Sequence, residues 1–382
     1  MPSTAGKGYP LKTNEQSQPS ETQDSRDAPL RSIHTSSFPE ILNQISSSVA
    51  VTTYQAGKLV FLRPEANTLN THFKAFPSPM GLAAQSGRLS VGVPGEIHHF
   101  RNMPAVAAKR TPPGRVDACF MPRNLHTTGD ILVHEMAFGT NGQLWVVNTR
   151  FSCLCTLDDV NSFVPRWKPP FITGYSPNDR CHLNGMGMKD GVPSLVTALG
   201  QTNEPTGWRK NKKDGGILMD VGSGEIICKN LSMPHSPRWH DGKIWVLESG
   251  RGTLSVVDPQ TGKHEPVAIL PGFTRGLDFY GPLAFIGLSQ VRETAVFSGI
   301  PITEQNLERN SGVWVVNIQT GNIVAFVKFE DALQEIFAVQ VLPGIRFPDL
   351  VNDEEEIIHS TYELPDDAMK LVELNLQEPP TT

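Results

Sequence analysis

Three histidines recur at nearly equivalent places along the chain: His134 in ILVHEM, His182 in DRCHLN and His235 in MPHSPR. Three imidazoles brought to one point can hold a divalent metal, the one cofactor the sequence suggests. Glu135, Asn184 and Glu335 stand at comparable places, and through oxygen they suit a hard cation such as Ca²⁺. The same positions also fit acid–base chemistry without metal. Glu135, Glu248 or His182 would be the catalytic acid or base, with Arg238 and Arg275 holding an anionic group of the substrate. Asn148, Arg150, Asn184, His235 and Ser289 complete the polar set as substrate contacts. The loop LGQTNEPTGWRKNKKDGG at 199 adds Trp208 as an aromatic plate and Arg209 as an anion-binding guanidinium. Singly, each of these also suits a hydrogen-bonded residue at a strand end. Their recurrence at equivalent positions is what marks a site.

The elements that would position them repeat. Five segments place a strand after a turn ending in Gly: GRLSVGVPG at 87, GQLWVVNTR at 142, GVPSLVTAL at 191, GKIWVLESG at 242 and GPLAFIGLS at 281. Three more, GGILMDVGSGEII at 215, GTLSVVDPQTGK at 252 and GVWVVNIQTGNIV at 312, read as strand pairs around a tight turn, where Gly supplies a positive φ at no steric cost. Together they make a four-stranded unit with first strands near Gly81, Met136, Gly185, Pro237, Gly276 and Phe337. The interval is about 40 to 60 residues, the period of propeller blades. The fold is therefore an all-β propeller of six blades, with seven the alternative if the stretch 96–130 conceals further strands. The strand EIFAVQVLPG at 335 has no partners after it, and the strands from 47 to 76 have no inner strand before them. Joining the two closes the ring and removes open edges.

In a blade the first strand begins on the face where the second ends, and that face also receives the second-to-third loop. Long loops are expected there at 96–130, 200–214 and 290–311, rising over the polar set at the mouth of the central channel. His98, His99 and His126 fall in the first of these and are read as loop histidines outside the site.

Composition bounds the rest. The chain has 382 residues, 38% hydrophobic and 19% charged, with 33 Gly and 31 Pro, an ordinary globular balance rich in turns. A net charge of −6 with no broad Lys/Arg cluster argues against nucleic acid and anionic membrane as partners. Five cysteines without a C-x-x-C pair read as reduced thiols, and the N-terminus lacks the apolar core of a signal peptide, so a cytoplasmic protein is expected. Residues 1–36 read as a disordered arm, 37–364 as the propeller and 365–382 as a peripheral tail with at most a short strand.

The segments DRCHLNGM at 179, LGQTNEPTGWR at 199, MPHSPRWHDGKIWVLESG at 233 and LPGFTRGLDFYGPLAFIGLSQVRET at 270 resemble a family of bacterial conserved hypothetical proteins thought to be propellers. The resemblance implies fold and family and names no reaction. In architecture the chain is also similar to six-bladed lactonase, gluconolactonase and strictosidine synthase-like propellers, which implies a cation or catalytic acid at the channel mouth. No G-x-S-x-G, phosphate loop or dinucleotide fingerprint is present. Two functions follow: a small-molecule-binding propeller, as a hydrolase, isomerase or cyclase, or a non-catalytic scaffold that grips a peptide or protein.

Overall fold

The computed structural model describes residues 31–291, 299–304, 308–330 and 333–372. Most of the arm read from the sequence, and the last ten residues of the tail, lie outside the described residues.

Runs such as KLVFL, KIWVL and GVWVV are apolar at consecutive positions because both sides of each strand are buried. In Lys58–Glu65, Val60 and Leu62 face one neighbouring blade while Leu59 and Phe61 face the other. Six apolar clusters result, one in each gap between blades. The strands form six small sheets arranged as a six-bladed β-propeller.

Blade one takes its inner strand, Ala338–Pro343, from near the end of the described chain and continues outward through Ser47–Thr53, Lys58–Glu65 and Thr68–Ala75. Ser47 pairs with Pro343 and Thr52 with Ala338, antiparallel without a break, so the ring closes as the unpaired ends require. Blade two is Leu82–Gln85, Arg88–Val93, Gly95–Asn102 and Ala118–Gly129, and blade three is Val133–Phe138, Leu144–Asn148, Cys153–Thr156 and Val164–Trp167. Blade four is Leu183–Lys189, Val192–Ala198, Gly216–Asp220 and Ile226–Leu231, and blade five is Pro234–His240, Lys243–Glu248, Thr253–Val257 and His264–Ile269. Blade six is Phe273–Tyr280, Leu283–Ser289, Ser311–Asn317 and Asn322–Phe329.

Two expectations need correction. The stretch 96–130 is not an upper loop: it supplies the third and fourth strands of blade two, and the upper connection there turns at Pro94. The insertion lies instead at 103–117 on the lower face. Ser32–His34, inside the region read as the arm, is a fifth strand on the edge of blade six. Pro348–Leu350 does the same for blade two, running parallel to Ala118–Phe120, and the described start of the tail holds a short helix, Asp366–Met369.

The inner strands pack closely around the channel. A Cβ on Gly185 would stand 2.3 Å from Thr197 Oγ1 and 2.5 Å from Pro237 Cδ, so glycine there lets blade five lie against blade four. The upper loop 199–215 meets the described residues 290–291 and 299–304 over the mouth. Leu199 and Trp208 from the loop pack with Met233, Phe273, Val291, Ile300 and Ile302 in one apolar cap. No helix among the described residues is long and apolar enough to cross a membrane.

Candidate functional site

The inner strands of blades three and five open with the same local device. Leu132 and Met233 adopt left-handed φ values of +52° and +46°, which cost a non-glycine residue about 1–2 kcal/mol and recur where function over-determines the backbone. Each turns its carbonyl onto the histidine two residues later. His134 Nδ1 lies 3.0 Å from Leu132 O and His235 Nδ1 3.0 Å from Met233 O. Blade four reaches the same end by another route. His182, itself at φ +51°, sets Nδ1 2.9 Å from a carboxylate oxygen of Asp179, and that carboxylate also accepts Trp208 Nε1–H at 3.0 Å.

A carbonyl can only accept, so Nδ1 is the donor in His134 and His235, and the Asp179 carboxylate imposes the same tautomer on His182. Every Nε2 then carries a lone pair, and among the described residues none has a hydrogen-bond partner. Burial holds His134 and His235 well below the usual imidazole range, and the Arg275 guanidinium nearby adds to this, so both are neutral bases.

His134, Glu135, Asn184, His235, Arg238 and Arg275 line one cavity in the channel mouth, floored by Phe337 and its neighbours. The cavity measures about 20 Å³, room for a single water. His182 stands edge-on to His134 at 4.8 Å between ring centres and is roofed by Trp208 at 4.4 Å. Asn184 accepts Thr197 Oγ1–H at 2.8 Å, while its Nδ2 is buried without a partner. Arg275 lies 3.4 Å over the Phe337 ring and pairs with Glu335 at 3.2 Å; burial lowers its pKa to about 10, leaving it charged at neutral pH.

The remaining candidates are placed elsewhere. Glu248 turns away from the mouth into the gap between blades four and five, where Ser232 N–H, Arg251 and His264 engage it. Asn148 is buried and caps the turn at Phe151, and Arg150 pairs with Asp130 at the rim. Ser289 bridges blade six to Ile336. Arg209 stacks outward on Trp208 at 5.0 Å. Arg238 lines the cavity, and four of its five N–H donors are taken within the protein: Nε reaches Leu277 O, Nη1 reaches Met186 O and Pro237 O, and Nη2 pairs with Glu135. It ties four blades together. Among the described residues no three His, Cys, Asp or Glu side chains are grouped to hold a metal ion; His134 and His182 meet ring to ring, and His134 and His235 line the same cavity. Asp179, in an irregular connection without a motif, was not legible as a site residue.

Residues 36–351 match a single family, which spans the whole ring. The chain belongs to the family described as Domain of unknown function, DUF4915. No curated protein matches it. Among solved structures it is similar to a chain of the nidogen/laminin complex, at 10% identity and TM-score 0.47, covering 78% of this chain and 99% of that one. A protein of unknown function from Bacteroides caccae is similar at 10% identity and TM-score 0.48, over 78% of this chain and 98% of that one. At these values neither likeness bears on function.

The charge states of this DUF4915 propeller predict its pH dependence. His134 and His235 stay neutral when folded but protonate near 6.5 once unfolded. Below that pH the unfolded chain binds more protons, so stability present above 6.5 is lost as pH falls, by about 1.4 kcal/mol per unit for each proton. His99, lowered to about 4 by burial, adds to the same limb. His264, raised to about 10 by its bonds to Cys228 and Glu248, acts oppositely: its contribution is full below 6.5 and fades as pH rises to 10. Denaturant midpoints are therefore expected to peak near pH 6.5 to 7 and to fall on both sides. A midpoint flat between about pH 5 and 7 would contradict the buried neutral imidazoles.

Proposed function

We propose that the channel mouth binds a small polar molecule with an acidic O–H or N–H, and that His182, oriented by Asp179, acts on it as general base. The observation that carries this is the matched tautomer of the three imidazoles, each with Nδ1–H engaged and an unpartnered lone pair at Nε2. A base held by a carboxylate on one nitrogen and free on the other is the arrangement general-base catalysis needs. In the adjoining cavity Asn184 Nδ2 offers an unfilled donor, and Arg275 a positive charge for an anionic group.

A cavity of about 20 Å³ is far below the roughly 300–1,000 Å³ of small-ligand pockets, so binding lifts the cap. Trp208 is the plug: it is 4% exposed, covers His182 and is tethered to Asp179 by one hydrogen bond. Binding should change its fluorescence. In a melting screen of small hydroxy acids, sugars, lactones and amines, a stabilising ligand should raise the melting temperature of the native chain. The shift should disappear in His182→Gln, while the ligand-free melting temperature stays within a few degrees. An undiminished shift in His182→Gln would remove the base from the site. No stabilising ligand, together with capture of a peptide by the upper face, would favour the scaffold. The lone pairs also suit a divalent metal such as Zn²⁺, and stoichiometric metal in the purified protein would recast His182 as a ligand.

A further inference from the structure

Outside the channel one cysteine differs from the rest. Cys119, Cys153, Cys155 and Cys181 are buried among apolar side chains, and burial pushes the thiols of Cys119, Cys153 and Cys181 up to about 12 and that of Cys155 upward as well. Such thiols are inert. Cys228, on the outer strand of blade four, instead lies 3.6 Å from Nδ1 of His264, which opens the outer strand of blade five. The other ring nitrogen, Nε2, is 3.1 Å from Glu248 Oε1. Glu248 is held in turn: Oε2 accepts Ser232 N–H at 3.0 Å and Arg251 Nε–H at 3.1 Å. Apart from His264, the sulfur has one polar neighbour, the Lys229 carbonyl at 3.6 Å.

This is a nucleophile, a base and an orienting carboxylate within hydrogen-bonding reach of one another, the relation that activates cysteine. The imidazole bonds at both nitrogens, and these bonds raise its pKa to about 10, so at neutral pH it is an imidazolium with one N–H on the carboxylate and the other on sulfur. A cation donating to sulfur favours the thiolate. The groups facing the triad from both blades are Ser232 and Lys229 on blade four and Arg251 on blade five.

We propose that Cys228, paired with His264 and Glu248, is a redox-responsive thiol that hydrogen peroxide converts to a sulfenic acid. The thiolate sulfur attacks the nearer peroxide oxygen, a sulfur–oxygen bond forms and the O–O bond breaks. The leaving hydroxide takes the Nδ1 proton of His264 and departs as water, with neutral imidazole and Cys–SOH remaining. Sulfur is oxidised by two electrons and the peroxide is reduced by two. Cys228 is 1% exposed, but the ring in contact with it has a side chain 24% exposed, so the sulfur lies one movable side chain beneath the surface.

The full chain, treated with hydrogen peroxide, trapped with dimedone and mapped by mass spectrometry, supplies its own four control cysteines. Labelling at Cys228 is expected at peroxide concentrations at least about tenfold below those that label any other cysteine. His264→Gln, which retains an amide donor without the cation, should lose most of that advantage. In the unmutated chain, iodoacetamide at neutral pH should alkylate Cys228 at least several-fold faster than any of the other four cysteines. Cys228 reacting no faster than the other four with either reagent would overturn the proposal even if His264→Gln failed to fold.

Discussion

A chain in which residues 338–343 are replaced by a Gly/Ser linker is expected to lose its cooperative melting transition altogether. The segment is the inner strand of blade one, and Val339, Val341 and Leu342 are 2%, 5% and 3% exposed. Each contributes about 1.5–3 kcal/mol by burial alone. Neighbouring blades also use it: Asp278 of blade six accepts Val341 N–H at 2.8 Å, and Gln340 Oε1 accepts Ala84 N–H of blade two at 3.1 Å. Without it the gap between blades six and one opens along Val49, Val51, Phe285 and Ile336, and blade one presents a bare inner edge. The summed loss is comparable with the whole stability of a domain, about 5–15 kcal/mol. Circular dichroism on heating and the soluble fraction at expression both report it. A replaced chain that stayed soluble and melted cooperatively would show that five blades hold without the closing strand. A peptide of residues 333–352 added in trans should restore the transition if ring closure is the cause.

That closure was legible because hydrophobic runs left without partners at the two ends of a repeat have only each other to pair with. The hairpins were legible for a related reason: strands buried on both sides stay apolar at consecutive positions, and their turns need glycine. Legibility failed at the perimeter. Gly95–Asn102 and much of Ala118–Gly129 read as a loop because outer strands face solvent, so residues such as His98, Arg101, Arg123 and Asn124 carry no apolar alternation. The candidate site was half legible. Inner-strand starts point toward the mouth, which brought His134, Glu135, Asn184, His235 and Arg275 together. A residue at the end of a second strand has two sides to choose from, and Glu248 takes the gap between blades, where Ser232 N–H and His264 offer donors. Asp179 needs three dimensions to be seen, since only folding sets it between His182 and Trp208.

Arg238 is where the sequence reading and the geometry part most sharply, and its replacement carries the second large effect. Read from sequence it grips an anionic substrate; in the structure it is a knot. Its guanidinium reaches carbonyls of Met186 in blade four and Leu277 in blade six and pairs with Glu135 of blade three, all from the inner strand of blade five. Glu135 accepts Met186 N–H at 2.8 Å on its other oxygen, so removing the arginine takes a donor from a carboxylate and from three carbonyls, those of Met186, Pro237 and Leu277. Breaking a buried pair from one side costs about 3–5 kcal/mol, and with side chains 20% and 13% exposed the lower end applies. Arg238→Ala should thus lower stability by about 3 kcal/mol in urea titration. Glu135→Gln in the same chain removes the stranded charge yet keeps an acceptor for Met186, and should recover part of the loss. If Arg238→Ala instead left stability unchanged while a stabilising ligand lost its effect, the guanidinium would be a ligand contact after all. The double variant keeps the two readings apart, because relief by Glu135→Gln follows only if the missing partner was Glu135.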